Sequence, residues 1–166
     1  MTLAIRPAAP HEIGPAVEVL RGAGLGANVG RLLEFPIQSP CGDVLVAVDG
    51  SRVVGGAAVA CFGPTGWIGA LGVSARARRR GVGTALTEGC VDRLRELGAT
   101  TVLLYATAAG LPVYQRVGFV AEGEARAWRD LAPPRGRVDG DGVRPLREDD
   151  LDVVRALDRA ATGEDR

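Results

Sequence analysis

Apolar positions in the first sixty residues follow two periods, which predict two helices and three strands. A short extended run over residues 3–6 precedes an amphipathic stretch that ends near Gly22. Residues 25–35 favour a second short helix. Runs rich in β-branched and small apolar residues flank Asp49-Gly50 and predict a hairpin over residues 43–62, because Asp-Gly dipeptides adopt the positive φ of tight turns.

The next seventy residues alternate between the two periods. The sequence WIGALGV at 67–73 predicts a buried strand, with Trp67 in the core. The apolar period then becomes helical over 82–97. We expect a strand at 100–105, a short helix at 110–117 and a last strand at 119–128. This order indicates an α/β (α+β) fold in which helices flank a mixed, partly parallel central sheet. The helix face comprises Val82, Leu86, Cys90, Leu94 and Leu97.

The character of the chain changes after residue 130. Residues 131–142 are rich in Pro, Gly and charge, which predicts a linker between a domain at 1–130 and a tail at 143–166. Val143-Arg144-Pro145 repeats Ile5-Arg6-Pro7 at an offset of 138 residues. We therefore expect a strand and a helix in the tail. Its apolar face is too small for a separate core and is expected to dock on the first domain or on a second copy, as in a homodimer.

Composition narrows the classes of function. The 166 residues carry no net charge, although all 20 basic residues are arginine, and this balance weighs against nucleic acid as a partner. Three widely spaced cysteines and a single histidine predict reduced core thiols and no metal site. We find no signal peptide and no membrane-spanning run, so a cytoplasmic location without a membrane partner is expected.

One stretch, RARRRGVGTAL at 76–86, combines local positive charge with a glycine pair. It could be a nucleic-acid patch, or a cradle in which main-chain amides and a helix N-terminus hold a phosphate. The cradle explains Gly81 and Gly83 as well as the arginines, whereas the patch explains only the charge. The dinucleotide fingerprint fails because Leu86 stands where its third glycine belongs, and a P-loop fails because the chain has no lysine.

The remaining pattern is Arg78-x-x-Gly81-x-Gly83 between a strand and a helix. It resembles the acetyl-CoA signature of the GNAT superfamily of N-acetyltransferases. The sequence ATAAGLPVYQRVGF at 106–119 is similar to the second cofactor-facing segment of that family. The resemblance covers residues 3 to about 130, and the tail resembles the start of a second such domain. It implies the GNAT acyl-CoA N-acyltransferase fold, with acetyl-CoA as co-substrate and no metal.

The resemblance also implies roles for individual residues. The end of the 67–73 strand would bind the pantetheine arm, the loop and helix start would bind the pyrophosphate, and Tyr114 would protonate the departing thiolate. Thr107 stands where many members have asparagine. The residues implied in cofactor binding are Leu71, Gly72, Val73, Arg78, Arg79, Arg80, Gly81, Val82, Gly83, Thr84, Thr107 and Tyr114.

The strands lack the acidic residue that often serves the family as general base. Candidates for that role are Tyr105, Glu34, Glu122 and Glu124. The sequence thus favours an acyltransferase that moves an acetyl group from acetyl-CoA to a primary amine of a small molecule or a protein. The alternative is a non-catalytic acyl-CoA-binding or regulatory module of the same fold.

Overall fold

A five-stranded sheet forms the centre of the computed structural model, which describes residues 3–126 and 144–164. The sheet order follows the chain order. The strands are β1 (Leu3–Pro7), β2 (Gly42–Asp49), β3 (Arg52–Phe62), β4 (Thr65–Val73) and β5 (Thr101–Leu104). The first four strands pair antiparallel, and β5 pairs parallel to β4. The predicted mixed, partly parallel sheet is confirmed.

The hairpin of β2 and β3 was the clearest local prediction, and it is confirmed. Gly50 lies in the turn with a φ of +63°, the left-handed conformation that glycine adopts without steric cost. The middle residues of both strands are buried, since helices cover the sheet on both faces. The hairpin is therefore the centre of the core, and it fixes the neighbouring strand β4 in place.

Four helices flank this sheet. On one face, α1 (Ile13–Leu20) and α2 (Val29–Gln38) bury Leu20, Val29 and Leu33 against β2 to β4. On the other face, α3 (Val82–Glu96) buries its apolar stripe, and α4 (Leu111–Val117) lies beside it. Four of the five predicted stripe residues are buried and Leu97 is half-buried, which confirms the helical period.

A β-bulge changes which face the side chains of β4 occupy. Ala58 pairs with Ala70 and Val59 pairs with Ile68, so Gly69 is an extra residue in β4. Ile68 belongs to the core under α3, whereas Ala70 belongs to the core under α1 and α2. One added residue thus reverses the alternation within the strand.

The chain divides into two units, residues 1–120 and 121–166. In the second unit, a 3-10 turn at Glu148–Asp150 leads into α5 (Leu151–Thr162). The opening of α5 repeats the hydrogen bonding that opens α1. Arg144 binds the carboxylate of Asp150, as Arg6 binds that of Glu12, and each carboxylate also accepts a backbone N–H three residues earlier.

Three expectations from the sequence are wrong. Residues 119–126 of the predicted last strand are not in a strand, and residues 127–128 lie outside the described residues. Residues 144–147 of the tail form no strand either; β1 exists by pairing with β2, and a strand needs such a partner. Cys41 is exposed because it lies in the loop before β2, while Cys61 and Cys90 are buried as expected.

Candidate active site

The main feature of the site is the point half-way along β4 at which β5 ends, which we call the fork. The two strands pair from Thr65 to Ile68, opposite Thr101 to Leu104, and β4 continues to Val73 without β5 beside it. The predicted pantetheine-binding residues Leu71, Gly72 and Val73 all lie beyond the fork. The side chains of Leu71 and Val73 pack on the core under α3, so this stretch can offer its main chain rather than side chains to a ligand.

The loop after β4 has an unusual backbone. Arg79 has a φ of +58° and Gly81 has a φ of +80°. A left-handed arginine is strained, and such strain is concentrated at functional sites. Alternation of left-handed residues with others turns successive N–H groups toward one point, which makes an anion-binding nest.

The start of α3 continues this nest. Gly81 is its N-cap residue, and no side chain caps the helix there. The first N–H groups of a helix have no partner within the helix, so those of Val82, Gly83 and Thr84 can be donated to an anion. The described structure therefore brings together the main-chain groups that the sequence predicted for a pyrophosphate.

Gly83 marks a close junction of three elements. A Cβ atom built on it would lie 3.8 Å from Cγ2 of Val73 and 3.7 Å from Cγ1 of Val113. The start of α3 thus meets the end of β4 and the side of α4. A large side chain at position 83 would fill the space between these elements.

The arginines differ in their surroundings. Arg78 donates from Nε to the carbonyl oxygen of Val73 at 3.1 Å, so this side chain closes the loop onto the strand and occupies that carbonyl. Arg76, Arg79 and Arg80 are exposed. Arg78 therefore helps to set the loop geometry, and the carbonyl of Val73 already has a donor within the protein.

Tyr114 lies in a cluster with Thr107 and Gly110. A Cβ atom on Gly110 would stand 3.0 Å from Cε2 of Tyr114 and 3.4 Å from Oγ1 of Thr107. That Oγ1 accepts the backbone N–H of Gly110 at 3.2 Å, so Thr107 helps to start the turn into α4. The Tyr114 ring meets Phe119 edge-on, with 6.0 Å between the ring centroids.

Burial raises the pKa of the Tyr114 hydroxyl, and the nearby Cys90 thiol adds to this increase. The phenol therefore stays protonated at neutral pH, as a proton donor must. The importance of Gly110 was missed from the sequence, where it stands as an ordinary glycine two residues before Pro112. Gly110 precedes Tyr114 by four residues, about one helical turn, and this spacing could have indicated that the two residues are in contact.

The candidate general bases are dispersed. Tyr105 follows the last paired residue of β5, is 74% exposed, and packs against Trp67 in a tilted arrangement with 5.5 Å between ring centroids. Trp67 is half-buried rather than fully in the core. Glu34 is exposed on α2, and Glu122 and Glu124 belong to the second unit.

A groove of about 630 Å³ lies at the opposite end of the sheet. It runs between the start of β2 and the end of α2, and the ion pair of Asp43 with Arg93 borders it. It does not adjoin the loop after β4, because β2 starts beside the end of β3 that is far from Val73. We assign no chemistry to it.

The profile of the acetyltransferase (GNAT) family matches residues 21–119, which is more than half of the chain. The chain belongs to the GNAT acetyltransferase family. A Bacillus subtilis relative, the uncharacterized N-acetyltransferase YitH, is 31% identical over 124 residues. The match covers 70% of this chain and 43% of YitH, so this chain spans under half of the length of that relative.

Solved structures agree with this GNAT assignment. A proposed acetyltransferase from Pyrococcus horikoshii is 28% identical, with a TM-score of 0.64 over 72% of this chain and 44% of that one. A transcriptional regulator from Bacillus halodurans C-125 has a TM-score of 0.66 and covers 77% of this chain and 99% of its own. At 21% identity, this second likeness shows the fold alone.

Among residues 3–126 and 144–164, no group of three or more His, Cys, Asp or Glu side chains is placed to hold a metal ion. In the same residues, no helix has both the length and the apolar character that a membrane crossing requires.

Proposed function

We propose that this protein is an acetyl-CoA-dependent N-acetyltransferase that acts on a primary amine of a small molecule or a protein. One observation carries the proposal. Beyond the fork, β4 continues to Val73, and there it meets the uncapped start of α3 at Gly83. A ligand in which a long arm is joined to a diphosphate fits this arrangement. Its chain can lie along the free edge of β4 while its phosphates meet the amides of α3.

The residues present fit acetyl-CoA. We propose that the amides of Arg79, Arg80, Gly81, Val82, Gly83 and Thr84 bind the pyrophosphate. The left-handed Arg79 and Gly81 shape this loop as a nest that suits an anion. The main chain of Leu71 and Gly72 is proposed to bind the pantetheine arm, with the Arg78 side chain fixing Val73 behind it.

Acetyl-CoA supplies an activated acetyl group, which the amine nitrogen takes as the C–N bond forms and the C–S bond breaks. We propose that Tyr114 donates its phenolic proton to the departing sulfur, since its raised pKa keeps that proton in place. The surplus amine proton must leave as well. Tyr105, which follows β5 at the fork, is proposed to pass it to solvent, and a proton from solvent restores the Tyr114 hydroxyl.

The alternative function is acyl-CoA binding without turnover. The lack of an acidic residue in β4 and β5 is the feature that raises it. Membership of an acetyltransferase family and similarity to an N-acetyltransferase favour transfer over this alternative. Release of free thiol from acetyl-CoA in the presence of amines distinguishes the two.

Calorimetry with acetyl-CoA tests the binding site. Gly83→Leu should abolish measurable binding, because the new side chain fills the junction of α3, β4 and α4. Gly14→Leu is a matched control, since Gly14 is also the second residue of its helix but a Cβ there meets nothing within 4 Å. Equal affinity of the two variants would contradict the proposed site.

We also propose that residues 144–164 open a second domain of the same fold after a linker at 131–142. The repeated hydrogen bonding of Arg6 with Glu12 and of Arg144 with Asp150 supports this proposal. Homodimer formation and a cytoplasmic location remain proposals. Light scattering on the purified chain would give its mass in solution and test the dimer directly.

A further inference from the structure

Two aromatic rings stand at the fork of the sheet. Trp67 of β4 is directly opposite Leu103 of β5, and Tyr105 follows two residues later on the same side of the strand. Their ring centroids are 5.5 Å apart with an angle of 38° between the ring planes. Tyr105 is 74% exposed, so Trp67 covers only part of its ring.

These rings lie on the face of the sheet away from α3. The neighbouring residues Ile68 and Leu104 pack on the core under α3, and side chains alternate along a strand. Trp67 and Tyr105 therefore belong to the opposite face, which α1 and α2 cover over the other strands. The next residue of the fork, Gly69, is exposed, and a Cβ on it would meet nothing within 4 Å.

This surface offers aromatic faces rather than charge. The residues of β4 and β5 include no Asp or Glu. Neither strand therefore has a carboxylate that could bind the second ammonium group of a polyamine. An exposed phenol ring packed at a tilt against an indole is well suited to a third flat ring, since aromatic rings attract one another in offset and tilted arrangements.

We propose that Trp67 and Tyr105 form a stacking platform that selects, as the acetyl acceptor, a primary amine joined to an aromatic ring by a short alkyl chain. This inference rests on the proposed function, because it takes the fork as the place where the acceptor meets the thioester. In this proposal, the ring of Tyr105 determines which amine is accepted, and its hydroxyl has a separate role in proton transfer.

The test compares 2-phenylethylamine with 2-cyclohexylethylamine, which has a similar size and amine but no π face, and with spermidine. We expect kcat/KM for the phenyl compound to exceed that for the cyclohexyl compound by about three- to tenfold, the effect of one aromatic pair. Tyr105→Phe should keep this ratio, because the ring remains. Tyr105→Leu should bring it to about one.

A ratio near one in the unaltered protein, a preference for spermidine, or an unchanged ratio in Tyr105→Leu would overturn the platform. A second measurement does not need turnover. It follows the NMR resonance of the Trp67 indole N–H, which is assigned by its absence from the spectrum of Trp67→Phe. In the presence of CoA, 2-phenylethylamine should shift this resonance further than 2-cyclohexylethylamine, and equal shifts would refute the inference. Absence of thiol release with every amine would instead contradict the proposed function.

Discussion

Arg6 holds the carboxylate of Glu12 through two hydrogen bonds, from NH1 to Oε2 at 2.6 Å and from NH2 to Oε1 at 2.8 Å. The backbone N–H of Ala9 also donates to this carboxylate. The Arg6 hydrogen bond and then that of Ala9 lower the pKa of Glu12 from 4.5 to about 2. The ionised carboxylate therefore fixes the turn between β1 and α1.

A lowered carboxylate pKa makes stability depend on pH in a defined direction. The contribution of Glu12 is complete above pH 4.5 and is lost as the pH falls toward about 2, where the folded form is protonated. We expect Glu12→Gln to lower the free energy of unfolding at pH 7 and to flatten its decrease between these values. Urea unfolding at several pH values measures this. Glu18→Gln, which alters an exposed ion pair with Arg21, is the control for the loss of a surface carboxylate.

The corresponding pair in the second unit should stabilise α5. Asp150 accepts hydrogen bonds from Arg144 and from the backbone N–H of Arg147, which lower its pKa. We expect Asp150→Asn to speed amide hydrogen exchange in the first turns of α5 while exchange in α3 stays the same. Equal exchange of α5 in both proteins would show that this pair does not hold the helix start.

Tyr114→Phe tests the proposed proton donor. Removal of a general acid costs about 10²- to 10⁴-fold in rate, so we expect a loss of kcat of about that size with little change in acetyl-CoA affinity. A raised pKa also predicts that kcat in the unaltered protein persists above pH 10 before Tyr114 loses its proton. An unaffected kcat in Tyr114→Phe would assign the tyrosine to packing, together with Phe119.

Gly110→Ala should also slow the proposed proton donation by Tyr114, although it leaves the Tyr114 hydroxyl in place. Its Cβ would stand 3.0 Å from the Tyr114 ring, closer than nearly all real contacts, so the ring must move by a few tenths of an ångström. We expect kcat to fall by about tenfold, because small misplacements of reacting groups are costly. Gly123→Ala, where a Cβ meets nothing within 4 Å, is the control for the substitution itself.

The three thiols should react at different rates with an aromatic disulfide reagent. Cys41 is exposed, whereas Cys61 and Cys90 are buried, and burial raises the pKa of Cys90 to about 12. Since the thiolate is the nucleophile, we expect one fast thiol per native chain and three after denaturation. Cys41→Ser should remove the fast reaction, and two fast thiols in the native chain would contradict the burial of Cys61.

Much of the fold follows from the periods of the sequence. The stripe of α3 and the turn at Gly50 are local patterns, and both were predicted correctly. The candidate phosphate-binding loop was predicted from a motif, although its backbone strain at Arg79 depends on the surroundings and has no sequence signal. The predictions that were wrong share one cause. A strand at 119–126 and a core position for Cys41 both depend on contacts with residues far along the chain.

The bulge at Gly69 could not be read from WIGALGV, because every residue there is apolar or glycine and neither register looks wrong. Likewise, the closeness of Gly110 to Tyr114 depends on how the turn packs against the ring. Sequence analysis located the residues of the candidate site, and the structure supplies the contacts between them.

The bulge also limits how the protein can change. Ile68 and Ala70 face different layers only because Gly69 is inserted between them, while their partners Val59 and Ala58 are adjacent in β3. A chain shortened by one residue at this point could keep either half of β4 in its proper layer, but never both. In proteins that descend from this sequence, substitutions in β4 should therefore be tolerated far more readily than a change in its length.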